Sequence, residues 1–176
     1  PGEAQNTTVL RIERPFFWEP AGHGAGHLYH LTTALCGGSN RLDSIENEVG
    51  IRHIRLQRGK SHRGHTFRFE VNEKPVYIKG ANWVPLSMFP GTHTEADYER
   101  LLTRLKAAHV NMLRVWGGGY YEDEAFYRIC DKLGIMVWQD FAFASAYYPD
   151  RQWFLDGVQV EAKAVVRRLR NHACLA

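Results

Sequence analysis

The spacing of apolar positions changes near residue 72. Before it, residues 9–12 and 28–35 alternate apolar with polar side chains as half-buried strands do. Residues 51–57 and 66–71 repeat that alternation on either side of a polar loop. Between the first two runs, Glu19, Pro20, Ala21, Gly22, His23, Gly24, Ala25 and Gly26 form a turn-rich loop. Short strands with loops between them, and no helical stripe, predict a sandwich of immunoglobulin type. It is an incomplete one, since such a sandwich takes about seven strands.

After a turn at 72–74 the period lengthens. A strand over 75–80 leads into 81–85, and a loop holding Pro85, Pro90 and Gly91 follows. Thr92 with Glu95, or Thr94 with Asp97, caps a helix whose inner stripe is Tyr98, Leu101, Leu102, Leu105 and Ala108. Next come a strand at 112–115, a turn of three glycines at 117–119, and a helix with Phe126, Ile129, Cys130 and Leu133 on one face. Gly134 ends that helix. A third strand at 135–138 exits into an aromatic loop with Phe143, Tyr147, Tyr148 and Trp153. The last helix carries Leu155, Val158, Ala162, Val165, Val166 and Leu169, with Arg167, Arg168 and Arg170 at its end. Residues 174–176 begin a fourth strand. Alternating strands and helices predict a parallel α/β arrangement, either a doubly wound sheet or half of an eight-stranded barrel. Periodicity does not choose between them.

In both architectures chemistry gathers where strands end. The three exits carry Asn82 and Trp83, Arg114 and Trp116, and Gln139 and Asp140. Indole and phenol rings offer flat apolar faces with polar edges, which suit sugar rings. Arg114 suits orienting a carboxylate and Asp140 suits bonding hydroxyls. Glycoside hydrolysis uses two carboxyl groups, about 5–5.5 Å apart for retention of configuration. Only one acid stands at a strand exit; Glu122, Asp123 and Glu124 read as charges at a helix N-terminus. Gly117, Gly118 and Gly119 lack the Gly-Lys-Ser/Thr or G-x-G-x-x-G context of a phosphate loop, so they read as positions free to take positive φ or admit close neighbours.

Composition removes several classes. With 44% hydrophobic and 12% aromatic residues the chain is globular, and a net charge of +3 points to no nucleic-acid partner. It holds no apolar run near 18 residues and no signal-like N-terminal segment, so nothing in it reads as entering a membrane. Cys36, Cys130 and Cys174 have no metal-type spacing and read as small core residues, leaning toward a reducing, cytoplasmic compartment. His23, His27 and His30 lack a partner cysteine or carboxylate and do not make a metal site. Arg52, Arg55, Arg58, Lys60, Arg63 and Arg68 alternate with apolar residues as the solvated face of strands does. The chain begins without methionine, which hints at a piece of a longer polypeptide.

Three motifs resemble one family. Asn82-Trp83-Val84-Pro85, the run from Leu113 to Gly119 (Leu-Arg-Val-Trp-Gly-Gly-Gly), and Gly134-Ile135-Met136-Val137-Trp138-Gln139-Asp140-Phe141 resemble the β-mannosidases of glycoside hydrolase family 2. Trp18-Glu19-Pro20 through Gly26 with Leu28-Tyr29 resembles a strand pair of that family's immunoglobulin-like domain. Val49 to Arg52 and Phe67 to Asn72 resemble its junction into the barrel. The resemblance covers nearly the whole chain and implies a fragment of a multi-domain protein. Residues 1–70 would be the C-terminal part of an immunoglobulin-like β-sandwich. Residues 71–176 would be the N-terminal half of a (β/α)8 TIM barrel, cut at strand 4.

The resemblance further implies a retaining glycosidase removing terminal non-reducing β-D-mannose. In it, Trp116 and Asp140 line the mannose pocket, Arg114 supports the nucleophile, and Asn82 and Trp83 shape the wall. The family's acid/base glutamate follows its fourth strand, which Arg170 to Ala176 approach, and its nucleophile stands on a later strand. Both lie beyond Ala176, so no catalytic residue is assigned and the isolated chain is expected to be inactive. Ala173 stands where proline is common in the family. The implied partner is a β-mannoside; neither cofactor nor metal is called for, and the unpaired edges of a half-barrel would favour a homo-oligomer. Two alternatives stay open: a non-catalytic sugar-binding or structural fragment, and another family 2 glycosidase such as a β-galactosidase or β-glucuronidase. The tryptophan before the glycines argues against the latter.

Overall fold

A computed structural model describes residues 6–62 and 64–176. Its first sheet is a hairpin of β1 (Tyr29–Gly37) and β2 (Asn40–Val49), turned at Gly38, whose φ of +63° suits glycine. The alternation of 28–35 marks β1. Nothing marks β2, whose sequence is mostly charged and polar; pairing with β1 along its length makes it a strand. The run at 9–12 is not one. Among the described residues no strand pairs with it, and Val9 and Leu10 are 86% and 67% exposed. Alternation favours a strand only where a neighbour takes up its N–H and C=O groups.

The second sheet is antiparallel: β3 (Ile54–Ser61), β4 (Gly64–Val71) and β5 (Lys74–Val76), in that order. Most of the polar loop expected between 57 and 66 is instead strand, paired from Ile54↔Val71 to Ser61↔Gly64. Between β4 and β5, Asn72 and Glu73 both have positive φ, the backbone of a two-residue hairpin turn of type I′. Arg55 and Arg68 do not merely face solvent, because both pair with Glu70, which they hold below the usual carboxylate range. Arg63 of the basic run lies outside the described residues.

The apolar run 75–85 divides in two. β5 closes the antiparallel sheet, and after a crossing at 77–79 the chain enters a parallel sheet of β6 (Gly80–Trp83), β7 (Met112–Val115) and β8 (Met136–Gln139). Three helices alternate with these strands: α1 (Glu95–Ala107), α2 (Glu124–Leu133) and α3 (Gln152–Leu169). Of the two caps expected for α1, Thr94 is used; its N–H and hydroxyl both donate to Asp97. Gly134, at φ +74°, ends α2 as expected. The fourth strand begins as a single parallel bridge, Val137↔Leu175. Among the described residues no helix is long and apolar enough to cross a membrane.

One core runs through both parts, from Trp18 through Phe69 and Val71 to Val115, Phe126 and Cys174. The loop of residues 18–26 wraps the carboxyl end of α2. Trp18 Nε1 donates to the Asp131 carbonyl at 2.7 Å, and Ala21 N–H donates to that of Gly134 at 2.8 Å. Arg52, expected on a solvated face, reaches the carbonyls of Ala173 and Leu175. Cys130 and Cys174 are buried as expected, whereas Cys36 is exposed on the first hairpin.

Asn111 makes the crossing at 77–79 specific. It is 1% exposed; its Oδ1 accepts from Lys79 N–H at 2.8 Å, and its Nδ2 donates to the Tyr77 carbonyl at 2.9 Å. An N111L substitution leaves two backbone groups short of partners, each worth about 1–3 kcal/mol. We expect urea denaturation to show N111L destabilised by roughly 2–4 kcal/mol. A loss below ~0.5 kcal/mol would show that the crossing does not depend on Asn111.

Candidate functional site

Parallel register decides which strand-exit residues meet. Asn82 pairs with Arg114 and Arg114 with Trp138, so these three share one face, and Asp140 follows Trp138 by two residues on the same side. Arg114 faces Asp140 as a fork, Nε to Oδ1 at 3.2 Å and Nη2 to Oδ2 at 2.6 Å. Its Nη1 donates to Asn82 Oδ1 at 3.2 Å. The Gly117 N–H adds a donor to Asp140 Oδ2 at 3.3 Å. A bidentate guanidinium–carboxylate pair fixes both planes, leaving a rigid, half-buried polar rim. Phe67 and Phe69 of β4 set their rings 6.0 and 6.1 Å from that of Trp138, so the antiparallel sheet floors this face.

The three glycines supply space, not unusual backbone: none has positive φ. A Cβ on Gly117 would stand 2.3 Å from the Phe141 carbonyl oxygen and 2.6 Å from that of Phe143. On Gly118 it would meet the Trp116 ring at 2.1 Å, and on Gly119 the Pro85 ring at 2.7 Å. The β6, β7 and β8 exits therefore converge on this turn, and the Trp116 indole folds over it.

Trp83 does not join this group. One residue past Asn82, it turns to the opposite face, is 4% exposed, and packs 4.8 Å from the Phe126 ring. Two neighbouring residues of a strand cannot line the same face, a parity visible in the sequence once the strand is placed. Gln139 points the same way as Trp83, accepting from the Tyr127 hydroxyl at 2.6 Å. The acidic run also divides. Asp123 is the N-cap of α2 and Glu124 its first residue, whereas Glu122 lies before the helix and is fully buried. Its charge is met by side chains, not by the helix dipole. In the aromatic loop, Phe143, Tyr148 and Phe154 cluster together, while Tyr147 and Trp153 project outward.

The histidines of the first loop make no metal cluster; His27 lies between the rings of Phe16 and Tyr29. Among the described residues the group with metal-type donors is Asp131, His172 and Cys174, within 4.8 Å of one another. Each donor atom is already engaged. Asp131 Oδ1 accepts from Cys174 N–H at 2.7 Å, Oδ2 meets His172 Nδ1 at 2.6 Å, and the Cys174 thiol donates to the Tyr127 carbonyl. Burial raises both the Cys130 and the Cys174 thiol, which keeps them from acting as thiolates. The cluster is a joint between α2 and the final segment.

What the rim can do follows from its parts. It offers oriented donors and acceptors beside an indole face, suited to a polyhydroxy ring. Its one carboxylate is committed to Arg114, so the rim offers groups that could bind and orient a ligand but not the second acid that glycosidic cleavage uses.

Two outcomes test these placements. G118A drives a methyl group into the Trp116 ring, so we expect the indole to be displaced, read as an altered near-ultraviolet circular dichroism spectrum; an unchanged spectrum would refute the packing. The second concerns His172. Burial alone would lower its pKa, but Asp131 and Glu124 outweigh that and raise it. Its charged form therefore stabilises the fold fully below about pH 6.5, its unfolded pKa, and that contribution is lost as pH rises through the raised folded value. The Tm of the parent protein should fall over that interval, and H172Q should lack the step.

No family model matches the chain. It is 44% identical over 159 residues to the β-mannosidase of Mus musculus, spanning 88% of this chain and 18% of that protein. The crystal structure of β-D-mannosidase from Dictyoglomus thermophilum superposes with a TM-score of 0.90 at 49% identity, covering 95% of this chain and 21% of that one. A glycosyl hydrolase family 2 member from Bacteroides cellulosilyticus gives a TM-score of 0.69 at 25% identity, covering 92% and 20%. The chain thus spans about a fifth of the length of the curated relatives it matches. Over the segment it spans, the chain is similar to β-mannosidases and to a member of glycosyl hydrolase family 2.

Proposed function

We propose that these 176 residues are one part of a β-mannosidase that removes terminal non-reducing β-D-mannose with retention of configuration. The observation that carries the proposal is the Arg114–Asp140 fork joined by Asn82 at the carboxyl ends of adjacent parallel strands. The relatives named β-mannosidase support the choice of sugar. On this reading residues 71–176 supply the first half of a (β/α)8 barrel, with β6, β7 and β8 as its first three strands. Residues 1–70 end an immunoglobulin-like sandwich, and β5 stays paired to β4 across that boundary.

Each residue then has a role in holding the sugar. Asp140 accepts hydrogen bonds from mannose hydroxyls, and Trp116 offers its indole as a wall. Arg114 holds Asp140 oriented through its fork, and presents positive charge toward a second carboxylate. Asn82 keeps Arg114 in that plane. Trp83 acts from behind, supporting β6 without touching the sugar. The acid/base and nucleophile glutamates belong to the polypeptide outside this segment. Retention then runs through a glycosyl–enzyme intermediate, formed on one carboxylate while the other protonates the leaving oxygen.

A second reading, sugar binding without cleavage, is favoured by the same fork, because the rim's one acid is already committed. The assay that separates them uses 4-nitrophenyl β-D-mannopyranoside. The polypeptide carrying these residues should hydrolyse it with retention, in preference to the β-galactoside and β-glucuronide. D140A should lower kcat/KM by on the order of 10²-fold, as misplacing a bound substrate does. The 176 residues alone should bind mannose weakly and release no nitrophenol. Preference for another glycoside, or turnover by the 176 residues alone, would overturn the proposal.

A further inference from the structure

Glu122 is a buried acid that neither the rim nor the α2 cap uses. It is fully excluded from solvent. Trp83 Nε1 donates to its Oε1 at 2.7 Å, and the Tyr98 hydroxyl donates to its Oε2. Its carbonyl accepts from Arg168 of α3. His93 Nε2 reaches the Tyr98 oxygen from the other side, which makes Tyr98 a relay between His93 and the carboxylate. Burial, and next the carboxylate itself, hold the Tyr98 phenol above its usual range, so it stays a donor. One side chain thus ties β6, α1 and, through its backbone, α3.

Trp83 carries that attachment into the site by two routes. Its carbonyl accepts the N–H of Trp116 at 3.1 Å, and its neighbour Asn82 accepts from Arg114. An indole free to turn would loosen both the Trp116 backbone and the Asn82 contact. The isolated cost of burying a carboxylate is high, so a fold that keeps one with two neutral donors makes those donors hard to move.

We infer that Glu122 is a positioning residue for the rim: by clamping the Trp83 indole from behind, it sets Trp116 and the Asn82–Arg114–Asp140 group for binding. This rests on the glycosidase reading for what the rim binds, but the clamping itself does not.

The test uses E122L, E122Q and W83F in the polypeptide that carries these residues, with 4-nitrophenyl β-D-mannopyranoside. E122L should raise KM about tenfold or more while kcat falls much less, the pattern of lost binding geometry. E122Q keeps a carbonyl acceptor for Trp83 Nε1 and lets the Tyr98 oxygen accept, so it should recover most of the loss. W83F should resemble E122L, and E122L/W83F should be no worse than either alone. A lowered Tm in E122L with KM and kcat unchanged would reduce Glu122 to a structural residue and overturn the inference. If the parent polypeptide hydrolyses no β-mannoside, the functional reading fails by itself. The clamp is then judged by the ¹H–¹⁵N signals of the Trp116 amide and Arg114 Nε, compared between parent and E122L. Shifts at both positions support it, and coincident spectra there refute it. A variant too unstable for assay leaves E122Q and W83F to decide by the same two readouts.

Discussion

A buried carboxylate stands at each end of α2, and much of the structure answers to the demand that both be satisfied. Removing an ionised carboxyl group from water costs several kcal/mol unless donors replace the lost solvation. Glu122, before the helix, takes its donors from Trp83 and Tyr98. Asp131, in the last turn, takes them from His172 and the Cys174 backbone. These donors belong to β6, α1 and the final segment, so satisfying two charges locks three elements about one helix. The Asp131 carbonyl brings in a fourth, the loop carrying Trp18. The helix that looks most ordinary in the chain is the one on which its parts are hung.

The rim is the visible consequence. Arg114 and Asp140 lie 26 positions apart in the chain, yet they meet as a fork because parallel pairing places the β7 and β8 exits side by side. The three glycines let those exits approach more closely than any side chain would allow. Close packing behind the sheet backs the front face, and donors held in place this way lose less affinity to the entropy of ordering them. The likeness to β-mannosidases and the geometry of the rim are the two observations on which the proposed function rests.

The two antiparallel sheets are less alike than their sequences suggest. The β3–β4–β5 sheet is drawn into the common core, with Phe69 and Val71 buried and Phe67 and Phe69 against Trp138. The β1–β2 hairpin leaves Leu35, Leu42 and Ile45 about as exposed as surface residues, 63%, 66% and 60%. Alternation within a strand shows that it has two faces; it does not show whether either is covered.

By itself the sequence determined the order of elements from residue 72 onward. Helical stripes, a capping threonine and a C-terminal glycine act within a few residues and depend on local backbone preference. It also marked Asn82, Arg114, Trp116 and Asp140, because polar groups at successive strand exits are already a pattern in one dimension. Tertiary structure alone decided that β2 is a strand, that 9–12 is not, and that 75–85 divides between two sheets, since each depends on which distant segment supplies hydrogen-bonding partners. It also moved Trp83 to the back of the sheet and turned Glu122 from a helix-end charge into a buried acid. Both reassignments have one physical origin. A residue's direction from a strand, and the solvent left around a charge, are set by what packs against them in space, and sequence neighbours carry no record of that.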